Sequence, residues 1–190
     1  MSRNLVPDTR NEARKATLVV VTGPIASGKT SVAFELAALA RQQGLRAEAI
    51  DLDTIIEMVA GTDWLRVRRE HWELAEEAAA AMIDRLLDSG LELVTIAGPF
   101  FSEDNREHLL GSLVSRPTAR FVMLKVSLEE SIRRAQAEPG RGLTSDADFV
   151  ARIYAGIDWS SVPHNDVEID TDDKSLDDVA AAVADQVLEG

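Results

Sequence analysis

The sequence predicts an α/β domain built on a five-stranded parallel sheet, and three observations lead there. Short β-branched and aliphatic runs at 17–22, 46–50, 91–97, 120–126 and 166–169 alternate with longer stretches of helical spacing. Most of these runs are apolar almost throughout, the pattern of strands covered by helices on both faces. Between the first strand and the first helix stands a glycine-rich turn, Gly23-Pro24-Ile25-Ala26-Ser27-Gly28-Lys29-Thr30.

Each element carries its own signals. A first helix over 31–42 places Val32, Leu36 and Leu39 on one face and stops at Gly44. A long helix over 70–89 repeats Trp72, Ala75, Ala79, Met82, Ile83 and Leu86 and stops at Gly90. Capping-box pairs mark four helix starts: Thr54 with Glu57, Ser127 with Glu130, Ser145 with Asp148, and Ser175 with Asp178. The stretch from the second strand to the third exceeds what one crossover helix needs, so residues 54–90 are expected to form a helical substrate lobe. After the fourth strand a helix opens at Ser127, and Glu138-Pro139-Gly140-Arg141-Gly142 breaks it before a second helical stretch near 146–155. Residues 133–146 are therefore expected to form a lid. The polar opening, residues 1–16, reads as a flexible arm ahead of one domain at 17–190.

Composition narrows the function. With 190 residues, 45% of them hydrophobic, the chain can bury a core without disulfides or structural metal. It has no cysteine, which excludes thiol catalysis and Cys-ligated zinc or iron–sulfur clusters and suits a cytoplasmic protein. A net charge of -13 repels phosphate backbones and anionic lipid, so no nucleic-acid or membrane partner is expected, and an anionic substrate must meet a local basic site. His71, His108 and His164 are too scattered for a zinc motif.

The glycine-rich turn decides the class. It fits G-x-x-x-x-G-K-[ST] at every fixed position and runs from a strand into a helix, the P-loop context of the P-loop NTPase fold. Gly23 and Gly28 permit close approaches that a Cβ would obstruct, so successive amides can turn toward phosphate oxygens at the positive end of the helix. Pro24, Ile25, Ala26, Ser27 and Ser31 complete the expected phosphate-binding stretch; Lys29 adds a cation and Thr30 a hydroxyl for magnesium. The expected cofactors are ATP and Mg2+. The sequence has neither an Asn-Lys-x-Asp nor an Asp-x-x-Gly switch motif, which argues against a Ras-like GTPase. The third strand ends in Ala97-Gly98, without a motor ATPase's carboxylate.

The second strand supplies acids instead, in Asp51-Leu52-Asp53. Two residues apart on a strand, both carboxylates would face the phosphate cleft, one to hold hydrated magnesium and the other to orient a hydroxyl and accept its proton. Alternatively, Asp53 caps the following helix and Asp51 is solvated.

An N-terminal P-loop, Asp51-Leu52-Asp53 on the second strand and a late arginine-bearing segment resemble the shikimate kinase and gluconate kinase group of small P-loop kinases. The stretch Asp53-Thr54-Ile55-Ile56-Glu57-Met58 is similar to the aspartate-led helix start of chloramphenicol phosphotransferase. The resemblance implies that Asp53 is the substrate-hydroxyl partner and base and that Asp51 lies near magnesium. It also implies an adenine-contacting loop at Ile169-Asp170-Thr171, within the acidic stretch 166–178.

A lid arginine would steady the charge that spreads over the moving phosphoryl group; Arg134 and Arg141 are the expected pair, with Arg133 a third. The same arginines could pair with Glu129, Glu130 and Glu138 on a solvated helix face. Gly98, Pro99 and Phe100, with Phe101, follow the third strand and are expected to line an acceptor pocket with apolar bulk, although one ring of the adjacent pair can point inward. Arg68, flanked by Arg66 and Arg69 and by Trp64 and Trp72, either binds an acid group on the acceptor or forms an exposed helix start. The expected activity is transfer of the terminal phosphoryl group of ATP to a hydroxyl of a small molecule, by a monomer or homodimer. Two rivals remain: a nucleoside monophosphate kinase, and an ATP-binding switch that transfers nothing.

Overall fold

The computed structural model describes residues 16–137 and 142–188. Its five strands are β1 (Thr17–Thr22), β2 (Ala47–Asp51), β3 (Leu93–Ala97), β4 (Thr118–Lys125) and β5 (Val167–Asp170). All pair in parallel, in the order β2-β3-β1-β4-β5. Each expected strand is present: β1 has the expected ends, and the ends of the others differ by at most two residues. The helices are α1 (Lys29–Gln42), α2 (Leu52–Ala60), α3 (Arg69–Asp88), α4 (Glu103–Ser112), α5 (Leu128–Ala137), α6 (Ala147–Ala155) and α7 (Leu176–Leu188).

The strands are continuously apolar because both faces of the sheet are covered. Alternate residues of β1 separate cleanly: Val19 and Val21 join one core with α1 and α7, and Leu18 and Val20 join another with α2, α3 and α4. Helix α1 lies on its face through Val32, Ala33, Leu36, Ala37 and Ala40, all essentially inaccessible to solvent. The small alanines let α1 approach closely enough for Thr95 Oγ1 to donate to Ala33 O at 2.8 Å.

Two of the four capping expectations hold. Ser127 Oγ accepts from Glu130 N at 3.2 Å, and Ser175 Oγ accepts from Asp178 N at 3.2 Å. The other two fall on the wrong residue. Helix α2 starts before Thr54, capped by Asp51, and α6 is capped by Asp146, whose Oδ1 accepts from Phe149 N at 2.7 Å. Aspartate caps as well as serine or threonine, and in both places it stands where the chain leaves extended geometry.

The chain order places the site. From β1 the polypeptide crosses to the edge strand β2, returns to β3, and then moves to β4 on the far side of β1. The carboxyl end of β1 therefore faces the crevice where strand order reverses, and the segments after β1, β2 and β3 open at that same edge.

Candidate active site

The turn after β1 is shaped by two residues in the left-handed region, Ala26 (φ 57°) and Gly28 (φ 89°). Gly28 caps α1 with no side-chain hydrogen bond, and the first turn of the helix carries no acidic residue. The first amides of α1 are thus left for an anion. A Cβ on Gly23 would stand 2.5 Å from Ser27 Oγ and 2.7 Å from Leu124 O, so the close fold of the loop requires glycine there. Among the described residues Thr22 Oγ1 and Ser27 Oγ are buried without a hydrogen-bond partner, an arrangement that a polar guest would complete. The loop is also held from outside, since Ser131 Oγ on α5 donates to Ile25 O at 2.7 Å. Gly23→Ala is expected to weaken nucleotide binding by about tenfold or more and to destabilise the fold by about 1–3 kcal/mol. Calorimetry and thermal unfolding measure the two effects, and unchanged affinity would show that the loop gives way.

Asp51 ends β2 and α2 begins at the next residue, so Asp51 and Asp53 do not share a strand face. Asp51 Oδ1 instead accepts from Asp53 N at 3.0 Å across the first turn of α2. The two acids meet because the chain bends, not because of the strand's two-residue period. Burial raises the Asp51 carboxyl above its ordinary pKa, and the charge of Asp53 adds to the rise; the Asp53 amide, Lys29 and a hydrogen bond from Thr30 oppose it. Asp51, Lys29 and Thr30 thus form one electrostatic group.

Asp53 opens on the other side, into a cavity of about 190 Å³ that it shares with Gly23, Pro24, Ile25 and Lys29. The remaining wall is apolar apart from Thr144. Trp64 closes it from the segment after α2, Trp72 from α3, Pro99 and Phe101 from the segment after β3, and Phe149 and Ile153 from α6. The two indoles stack at a tilt, with centroids 6.2 Å apart. Phe100, expected in this wall, is wholly buried in the core, where its ring fills the space beside Gly98. Phe101 takes the pocket position. The buried Arg106 fixes that segment, donating to Phe100 O at 3.2 Å, His164 O at 2.8 Å and Asn165 Oδ1 at 2.6 Å.

Arg68 does not line the Asp53 cavity; it is exposed at the start of α3, beside a second hollow of about 370 Å³ that shares Trp72 with that cavity. Arg66 pairs with Asp63 at 3.1 Å and Arg69 with Glu73 at 2.6 Å, so the cluster forms the exposed helix start. Arg134 lines a third hollow, about 530 Å³, with Ser27, Gly28, Ser31 and Thr171. Its guanidinium donates to Glu130 at 2.6 Å and to Thr171 O at 2.5 Å. Together with Arg133 it holds the Glu130 carboxyl down to about 2. This hollow joins the helix-facing side of the loop to Thr171, the end of the expected adenine-contacting segment. Arg141 falls outside the described residues. Sequence reading passed over Phe149 and Ile153, although their four-residue spacing on an expected helix was a usable signal.

Residues 18–152 match the profile of a family described as an AAA domain, AAA_33. A search of curated proteins finds no match. Among solved structures, APS kinase of Mycobacterium tuberculosis, in complex with AMPPNP and APS, superposes with a TM-score of 0.68 at 20% identity, covering 93% of this chain and 99% of that one. A gluconokinase of Sinorhizobium meliloti gives 0.63 at 17% identity, covering 93% and 94%. A shikimate kinase of Acinetobacter baumannii, in complex with shikimate, gives 0.59 at 21%, covering 92% and 94%. The chain thus shares the fold of P-loop small-molecule kinases.

Proposed function

Because the chain belongs to the AAA_33 family of AAA domains, and because its loop and Asp53 open on one cavity, we propose that it transfers the terminal phosphoryl group of ATP to a hydroxyl of a small molecule with apolar bulk. The observation that carries this reading is that Lys29 and Asp53 line one pocket whose other walls, Thr144 apart, are chiefly aromatic and aliphatic. Lys29 and the free backbone amides of the loop and of the first turn of α1 hold the donor phosphates. The acceptor hydroxyl sits beside Asp53, which orients it and takes its proton as the new phosphorus–oxygen bond forms and the bond to the ADP oxygen breaks. Arg134 secures the nucleotide side, and Arg141 is assigned to closing over the transferred group. The apolar walls exclude water, which would otherwise compete as acceptor.

The residues present suit magnesium. Asp51 is a half-buried carboxylate, its pKa raised by burial and by the charge of Asp53, so a cation beside it would favour its ionised form, and the Thr30 hydroxyl stands beside it. Among the described residues no group of three or more His, Asp or Glu could hold a metal ion alone, which fits a cation that shares its ligands with phosphate oxygens. When bound, magnesium neutralises charge on those oxygens.

ADP release is measured with ATP and magnesium across apolar alcohols, sugars, polyol acids, nucleosides and nucleoside monophosphates, with products identified by mass. Acceptor-dependent ADP with a phosphorylated apolar alcohol supports the reading. Activity confined to nucleoside monophosphates selects the first rival, and nucleotide binding without transfer to anything selects the switch.

A further inference from the structure

Glu76, on α3, is 2% exposed, yet its position is not that of a paired structural acid. Its Oε1 accepts one long hydrogen bond, from Asn105 Nδ2 at 3.4 Å. Among the described residues nothing is seen to donate to Oε2, and no lysine, arginine or histidine nitrogen lies within 4 Å of the carboxylate. Asn105 is itself fixed: its Oδ1 accepts from Ser102 Oγ at 2.5 Å, which turns its amide toward Glu76. Among the described residues the enclosed, unpartnered side-chain oxygens are those of Thr22 and Ser27, so Glu76 Oε2 is not sealed in: it keeps a free side open to a donor from the adjoining hollow.

Glu76 is also aimed at space. With Ser102, Asn105, Arg152 and Asp158 it lines a hollow of about 540 Å³. That hollow adjoins the Asp53 cavity, because Trp72, Pro99, Phe101, Ile153 and Ile157 line both. The combined space has three zones: Lys29 and Asp53 at the phosphate end, an aromatic and aliphatic waist, and Glu76 with Asn105 at the far end.

We propose that Glu76 and Asn105 form a specificity subsite that receives a protonated amine on the acceptor, beyond the apolar waist from the hydroxyl to be phosphorylated. The proposal deepens the kinase reading and rests on it. An ammonium supplies the donor that Oε2 lacks and a cation in contact, where His108 and Arg69 act on Glu76 only from a distance, in a protein of net charge -13 whose field favours cations. Burial pushes the Glu76 carboxyl up to about 7, which leaves it mostly ionised at pH 8 and increasingly protonated below neutrality. The neighbouring charges nearly balance: Arg68 just ahead of α3, Arg69 and Glu73 on it, Asp104 and His108 on α4, Arg152 on α6 and Asp158 after it.

Three para-substituted benzyl alcohols make the test: 4-(aminomethyl)benzyl alcohol, 4-methylbenzyl alcohol and 4-(hydroxymethyl)benzoate. Their affinities are measured by calorimetry on the full chain at pH 8, with magnesium and a non-hydrolysable ATP analogue. The ammonium probe is expected to bind about tenfold tighter than the methyl probe, and the carboxylate probe more weakly than either. In Glu76→Gln the ammonium preference is expected to shrink to about threefold or less, with analogue affinity unchanged. In Asn105→Asp, which keeps the acceptor for Ser102 and adds a second carboxylate, it is expected to widen. Wild-type affinity for the ammonium probe is expected to fall between pH 8 and pH 6, as Glu76 takes up a proton. Equal binding of the ammonium and methyl probes, no binding of the ammonium probe, or an undiminished preference in folded Glu76→Gln overturns the subsite. ADP release with the same probes is scored separately. A Glu76-dependent preference without phosphorylation keeps the subsite and removes the kinase reading; phosphorylation without the preference does the reverse.

Discussion

Asp53→Asn is expected to lower phosphoryl transfer by about 10²–10⁴-fold while leaving ATP affinity within about twofold. The substitution is conservative. The Asp53 amide, which donates to Asp51 Oδ1 at 3.0 Å, belongs to the backbone and is kept, so the start of α2 should hold. What disappears is the carboxylate that faces the acceptor cavity beside Lys29. Steady-state turnover with any accepted alcohol and calorimetry with ATP separate the two effects. Turnover within about threefold of wild type would remove the proton-accepting role and leave Asp53 as part of a helix start. Asp51→Asn offers the contrast, because Asp51 joins Lys29 and Thr30, and its loss is expected to appear in magnesium dependence.

The second large effect is on stability. Glu76→Gln is expected to stabilise the protein above pH 7 by on the order of 3 kcal/mol, since each pKa unit is worth about 1.4 kcal/mol. The direction follows from proton binding. In the unfolded chain the carboxyl titrates at 4.5, and in the folded chain at about 7. Between those values the unfolded chain has released a proton that the folded chain still holds, so stability falls as pH rises through the window. The substituted amide cannot ionise, and the variant's curve lacks that slope. Thermal unfolding of both proteins from pH 4 to pH 8.5 should show melting temperatures that converge near pH 4 and separate by about 5–10 °C above pH 7. Parallel curves would show that burial does not perturb Glu76. A stability gain joined to loss of ammonium preference is what a residue retained for binding should display.

Much of the fold could be read in advance because its signals are local. Continuous apolar runs mark strands covered on both faces, and β1 to β5 lie where those runs stand. The spacing of Gly23, Gly28, Lys29 and Thr30 specifies a backbone shape that only a strand-to-helix turn can supply. Asp51 and Asp53 were found for a partly mistaken reason. Their proximity depends on a helix that starts at Leu52, and no periodicity separates a strand's last residue from a helix cap. Phe100 and Phe101 were ambiguous because a loop has no period; Arg106, reaching to His164 and Asn165, decides which ring turns inward. Glu76 was silent for a similar reason. On α3 it sits next to the apolar position Ala75 and reads as one more solvated glutamate until α4 covers it with Asn105.

The sheet also acts as a partition between two cores that, among the described residues, share no side chain. Val19 and Val21 belong with α1 and α7 behind the loop, while Leu18 and Val20 belong with α2, α3 and α4 behind the aromatic pocket. Packing changes on the two sides should therefore combine additively, because the intervening strands keep their neighbours apart. A lineage descended from this architecture can exchange the helices around the aromatic pocket while inheriting, unaltered, the packing behind the glycine-rich turn.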